Sequence, residues 1–165
     1  MKKSTAAPKV FFNASVVLAG LRNPSGGSGK LLKWVRRKIV SGIITEVVLD
    51  EVLRHCPKIG LTKKATQTYI RDTFITILPA PEEKDVVMYF TKVIDHGDAH
   101  IFASSFQARA RYLVSLDKKH ILVLARRMKG LTIVTPGEFI DLFEYDKTIR
   151  LPRVRLEENR KRSKI

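Results

Sequence analysis

Short apolar runs alternate with helically spaced apolar stripes along most of the chain. Val10-Phe11-Phe12 is a compact apolar run that stops at Asn13, the pattern of a strand covered on both faces. Beyond the stretch Asn23-Pro24-Ser25-Gly26-Gly27-Ser28-Gly29, the residues Leu31, Leu32, Val35 and Ile39 recur at helical spacing. Ile43-Ile44 predicts a second strand, and Thr45 a cap for a helix with Val48, Leu49, Val52 and Leu53 on its apolar face. That helix should end at His55-Cys56-Pro57, because a residue before proline avoids the helical region. Thr62 predicts the next cap, with Ala65, Tyr69 and Ile70 turned inward. Residues 74–78 are rich in strand formers and stop at Pro79. Pro81-Glu82-Glu83 predicts the opening of a helix with Val86, Val87, Phe90, Val93 and Ile94 inward and a break at Gly97. Asp98 then starts a helix through Ile101, Phe102, Ser105 and Phe106. Residues 112–116 predict a fourth strand ending at Asp117, residues 120–128 a helix, and residues 131–134 a last strand. Thr135-Pro136 predicts the cap of a final helix through Phe143.

Strands that alternate with helices in this way predict an α/β fold with a central, mainly parallel sheet and helices on both faces. No internal repeat is present. Residues 1–8 read as a flexible lead-in, residues 9–146 as one domain, and residues 147–165 as a basic tail too poor in apolar residues to pack.

Charge changes the picture. The 165 residues carry 31 Lys and Arg against 16 Asp and Glu, a formal net charge of +15, which points to a polyanionic partner and first of all to nucleic acid. Lys33, Arg36, Arg37 and Lys38 form one basic run, Lys118 and Lys119 a second, and Arg126, Arg127 and Lys129 a third, with more in the tail. Such clusters favour phosphate contacts that give affinity without sequence preference, although charge runs are often only solvated faces. Cys56 is the only cysteine, so an intramolecular disulfide and a cysteine-based zinc site are excluded and a reducing cytoplasm fits. The basic start Met1-Lys2-Lys3 has no apolar segment behind it, as a secretory signal would, and no apolar run approaches the length of a membrane span.

In a chain so short of acids, those at the ends of elements stand out. Ligands of open α/β sheets bind beyond the carboxyl ends of the strands. Asn13 ends the first predicted strand and Asp117 the fourth. Asp98 begins the helix leading into the fourth, with Asp95 one turn before it, and Glu51 lies in the helix after the second, with Glu46 and Asp50 as neighbours. Taken singly, Asp98 is a helix cap, Asp117 a turn residue and Glu51 an exposed partner for Arg54. Taken together, Glu51, Asp98 and Asp117 can meet at one sheet edge. Two carboxylates about 4 Å apart repel by roughly 4 kcal/mol at an effective dielectric near 20, and a divalent ion with a preference for oxygen relieves that repulsion.

These residues resemble the PIN-domain family, and in particular its prokaryotic group of VapC-like toxins from toxin–antitoxin pairs. The similarity covers about residues 9 to 144. Val10-Phe11-Phe12-Asn13-Ala14-Ser15 is similar to the family's opening strand and Gly97-Asp98-Ala99-His100-Ile101-Phe102-Ala103 to its acidic helix start. Ala110 to His120, with Ser115-Leu116-Asp117 within it, is similar to the fourth strand and acidic turn, and Ile133-Val134-Thr135-Pro136 to the ending. The resemblance implies a three-layer α/β/α fold and an Mg²⁺- or Mn²⁺-dependent ribonuclease. Glu51, Asp98, Asp117 and Asn13 would form its metal-binding, catalytic set, and Ser15, Ser115 and Asp95 would support them. RNA would lie against Lys33, Arg36, Arg37, Lys118 and Lys119. An antitoxin protein and a second copy of the chain are the implied protein partners. Asn13 stands where the family has aspartate. It keeps a carbonyl oxygen able to ligate metal but lacks a full negative charge, which fits either a natural, weakened relative or an introduced change.

Other signals are weaker. Pro24 to Lys30 has the look of a phosphate loop, but Pro24 occupies the first required glycine and Leu31 the position of the Mg²⁺-binding Ser or Thr, so a loop at the rim of the site that touches substrate phosphates is the better reading. His55, His96, His100 and His120 have no zinc-type spacing; His96 and His100 are one helical turn apart, with Gly97 between them. Cys56 reads as a small buried hydrophobe and Trp34 as core. Two rival functions remain open: a catalytically silent PIN-like module that binds RNA or protein, and a nucleotide-binding α/β protein.

Overall fold

A computed structural model describes residues 6–146. The predicted lead-in falls partly, and the predicted basic tail wholly, outside the described residues. Five parallel strands, β1 (Lys9–Phe12), β2 (Ser41–Thr45), β3 (Thr76–Leu78), β4 (Tyr112–Val114) and β5 (Thr132–Val134), form one sheet in the order β3-β2-β1-β4-β5. Register is set by Phe11 opposite both Ile43 and Leu113, and by Ile44 opposite Ile77. Val10, Phe11 and Phe12 are fully buried, as an apolar run without alternation requires of a central strand with both faces covered.

Between β1 and β2 lie α1 (Ala14–Arg22) and α2 (Gly27–Arg36), and between β2 and β3 lie α3 (Glu46–His55) and α4 (Lys63–Thr73). These four helices pack on one another. α5 (Glu83–Val87) and α6 (Ala99–Gln107) pack together before β4. With right-handed connections, the strand order places the two groups on opposite faces, giving the expected α/β/α layers. A final helix, α7, begins at residue 136 and is described to residue 146. It lies against α2: Trp34 meets Phe143 at 4.9 Å and Phe139 at 6.4 Å between ring centroids, so Trp34 belongs to the core as the sequence suggests. Caps form where hydroxyls were expected. Thr45 accepts from Val48 N, Thr62 accepts from Ala65 N, and Thr135 and Glu138 bond reciprocally at the start of α7.

Three elements differ from expectation. The helix expected to run from residue 81 to Gly97 ends at Val87. Tyr89, Phe90 and Lys92 donate to carbonyls three residues back, and Val87 and Ile94 are exposed rather than inward. The β-branched and aromatic content of this stretch lowers helix propensity, and the ring of Tyr89 instead stacks on Phe106 of α6. Residues 120–128 form turns and a short 3₁₀ segment, Leu122–Leu124, because the Asp117 carboxylate holds the N–H groups of Lys119 and His120. The third strand begins at Thr76, since Phe74 N still donates to Ile70 O at the end of α4. Phe74 packs edge-on against Phe12 at 5.3 Å, while Ile75 is exposed. On α4 the inward residues are Thr66, Ile70 and Thr73, and Ala65 faces out.

The α1–α2 turn is closed tightly enough to demand glycine. A Cβ on Gly29 would lie 2.3 Å from the carbonyl oxygen of Pro24, a backbone atom that cannot swing aside. Gly29→Ala should therefore lower the thermal midpoint by an amount equivalent to about 1–3 kcal/mol. Gly137→Ala, where a Cβ meets nothing within 4 Å, should leave it unchanged or raised. Equal midpoints for the two variants would show that the turn is not constrained in this way.

Candidate metal centre and active site

The strand order reverses at β1, so the crevice beyond the carboxyl ends of β1 and β4 is the topological switch point of the sheet. Chain ends on both sides of it are tied by side chains. Asn13 N donates to Val114 O, and Asn13 caps α1 by accepting from Ala14 N at 2.8 Å. Its Nδ2 donates to Ser115 Oγ at 2.8 Å, and Ser115 Oγ also accepts from Asp117 N at 3.1 Å. Ser15 Oγ accepts from Leu116 N at 3.2 Å. Asn13 and Ser115 are buried and Ser15 is half-buried.

Asp98 stands at the N-cap position of α6 on the rim of this crevice, at the end of the 3₁₀ turn His96–Asp98, but its carboxylate makes no capping hydrogen bond. Oxygen atoms of Asp95 and Asp98 and a ring nitrogen of His120 all lie within 4.8 Å of one another. Asp117 sits behind them. Its Oδ1 accepts from the backbone of Lys119 and His120, and its Oδ2 lies 3.3 Å from His120 Nδ1. Burial first, and then the charges of Asp95 and Asp117, push the Asp98 carboxyl up to about 6; His120 pulls the other way, and Glu51 adds a smaller upward push.

Glu51, Asp98 and Asp117 thus share one electrostatic neighbourhood. Of the three acids weighed on α3, Glu51 faces the site, Glu46 pairs with Arg71, and Asp50 is exposed. Asp95 lies closer to Asp98 than its expected supporting position suggests. His120 was missed, since the pairing was sought in sequence spacing. Its proximity comes from the turn that Asp117 organises, and the only sequence signal was a histidine three residues after a turn aspartate. His96, by contrast, stacks on Phe90 at 4.2 Å, and burial holds His100 below the usual imidazole range. Among the described residues, Asp95, Asp98 and Glu51 have no Lys or Arg ion-pair partner, although the chain carries 31 such residues.

Lys118 and Lys119 are exposed beside Asp117. Lys33, Arg36 and Arg37 are exposed on the last turn of α2, next to the loop that enters β2, and so lie toward the opposite end of the sheet; Arg36 stacks over Tyr69. Cys56 is buried with its thiol toward Leu53 O. None of the helices among the described residues is long and apolar enough to cross a membrane.

A carboxyl that titrates near 6 when folded and near 3.8 when unfolded binds more protons in the folded state between those values. Stability is therefore lost as pH rises through about 4 to 6. In metal-free buffer, Asp98→Asn should melt above the parent chain at pH 7.5, and the gap should close by pH 4, as followed by circular dichroism. A gap independent of pH would contradict a carboxyl raised by burial and its acidic neighbours.

The profile of the PIN domain matches residues 9–119 of the chain. No curated protein matches. Among solved structures, the chain is similar to one described as the crystal structure of VapBC2 from Rickettsia felis bound to a DNA fragment from their promoter. The identity is 13 % and the TM-score 0.49, over 77 % of this chain and 98 % of that one. With a domain profile that spans well over half of its residues, the chain belongs to the PIN-domain family.

Proposed function

We propose that this chain is a metal-dependent endoribonuclease whose centre is the acidic crevice around Asp98. The observation that carries this reading is a set of acids gathered without Lys or Arg partners among the described residues, in a chain with nearly twice as many bases as acids. The donor set is oxygen-rich with one imidazole, which suits Mg²⁺ or Mn²⁺. Asp98, Asp95 and His120 would hold the ion, with Asp117 and Glu51 close by and Asn13 lending a neutral oxygen. Bound there, a divalent ion lowers the pKa of an attacking water and balances charge developing on the phosphate.

The protein's own groups set the geometry. Asp117 and Ser115 fix the turn after β4 through four hydrogen bonds to backbone or side chain, so that the acidic edge does not have to form on substrate binding. Lys118 and Lys119 would neutralise backbone phosphates of the RNA. Lys33, Arg36 and Arg37 would be reached only by an RNA long enough to wrap the molecule. A cytoplasmic role as the toxin of a toxin–antitoxin pair, with an antitoxin or a second copy as partner, belongs to the same reading.

One observation favours the silent-module alternative. The Asn13 amide is built into the buried contacts, donating to Ser115 while its oxygen caps α1, so the position works structurally without a charge. Asn13→Asp replaces that donor with an acceptor. Ser115 can answer by donating its hydroxyl proton, and the crevice gains a negative charge.

The discriminating experiment is cleavage of single-stranded RNA in Mn²⁺ by the parent chain, Asn13→Asp and Asp98→Ala. Asn13→Asp should cleave at least as fast as the parent, and Asp98→Ala should lose about 100-fold or more. The parent's rate should rise with pH through about 6, as Asp98 loses its proton and can ligate metal. No cleavage by Asn13→Asp, with RNA still bound, would leave the binding module as the function.

A further inference from the structure

The loop between α1 and α2 frames a cleft of about 530 Å³ that the acidic crevice does not include. Ser15, Arg22, Asn23, Gly27 and Ser28 are among the residues that line it. Ser15 belongs to both regions, since its hydroxyl also holds Leu116 N beside Asp117. At the far end of the cleft, Gly26 caps α2 without any side-chain hydrogen bond. Gly26 N is occupied by Asn23 O, but the first N–H groups of the helix have no intrahelical acceptor and carry the positive end of its dipole.

Two side chains give this helix end a ligand-binding character. Ser28 is only 8 % exposed and lines the cleft, yet its hydroxyl has no hydrogen-bond partner among the described residues. Ser28 Oγ is not among the buried atoms left without a partner, so the hydroxyl opens into the cleft, where it can donate to a ligand. Arg22, in the last turn of α1, is exposed at the same cleft and forms no ion pair among the described residues. An N–H cluster, a hydroxyl donor and a guanidinium all favour an anion with several acceptor oxygens.

We infer that this cleft is a phosphate subsite, formed by the N-terminus of α2, Ser28 and Arg22, that grips a backbone phosphate of the RNA flanking the one cut in the acidic crevice. The inference rests on the ribonuclease reading for the identity of its ligand. It also gives the glycine-rich loop a role that its failed nucleotide-binding pattern does not. The subsite is sequence-independent and is reached by the same strand that passes Ser15.

The test uses the full chain in metal-free buffer, so that binding is read apart from cleavage. Fluorescence anisotropy of a labelled single-stranded RNA is measured over a salt series for the parent, Arg22→Gln, Ser28→Ala and Ser28→Asp, with Lys63→Gln as a control for net charge. Arg22→Gln should weaken binding about five- to tenfold and lower the salt slope by about 0.7, the value for one phosphate contact on a single strand. Ser28→Asp should weaken it more than Ser28→Ala, and Lys63→Gln should do less than either Arg22→Gln or Ser28→Asp. Amide NMR signals of Gly27, Ser28 and Gly29 should shift with RNA and, more weakly, with inorganic phosphate. Arg22→Gln and Lys63→Gln with equal affinity and slope would overturn the subsite while leaving RNA binding intact. Shifts with inorganic phosphate but none with RNA would overturn its assignment to the nucleic acid. A parent chain that binds no RNA at all would sink the ribonuclease reading together with the subsite.

Discussion

Like-charge repulsion at the mouth of the sheet is the constraint around which this molecule is arranged. Asp95, Asp98, Asp117 and Glu51 share one neighbourhood, and burial first, then these neighbouring charges, push the Asp98 carboxyl up to about 6. Solvent softens the repulsion, since Asp95 is exposed and Asp98 only half-buried. Among the described residues, no Lys or Arg side chain is drawn in to pair with Asp98. Acids that lack Lys or Arg partners among the described residues leave room for a cation from solution.

The scaffold makes this arrangement possible by separating stability from chemistry. β1 is central and buried from Val10 to Phe12, and the aromatic contacts of Phe12 with Phe74 and of Trp34 with α7 close the core. At the crevice itself, the order is supplied by hydrogen bonds rather than apolar burial. Ser115 joins the end of β1 to the turn after β4, and Ser15 holds the next residue of that turn. Asn13 is therefore a structural member of the crevice whatever its part in catalysis. Its neutral side chain ties the turn without adding a charge to the crevice.

Much of this was legible in the sequence because it rests on local rules. The apolar run before Asn13 and the capping threonines at 45, 62 and 135 mark their elements directly, and the alternation of strands and helices implied the parallel sheet. Asp98 and Asp117 stood out because they sit at the ends of elements, where a switch-point site must draw its residues. What was not legible depends on three-dimensional detail. Glu51 could not be chosen over Glu46 and Asp50 until the fold set it within electrostatic reach of Asp98. His120 reaches the acids only through a turn built by the Asp117 carboxylate, in a stretch whose apolar spacing suggested helix. The segment after Val87 has the same cause: its apolar residues are spaced for a helix, but β-branched and aromatic side chains favour turns and stacking on α6.

The most direct test of the central claim is Mn²⁺ binding followed by electron paramagnetic resonance of the free ion, for the parent chain and Asp98→Asn at pH 7.5. The parent should take up Mn²⁺ at a saturable site that weakens by about tenfold or more in the variant. Equal uptake by both chains, or none by the parent, would contradict a metal centre built around Asp98.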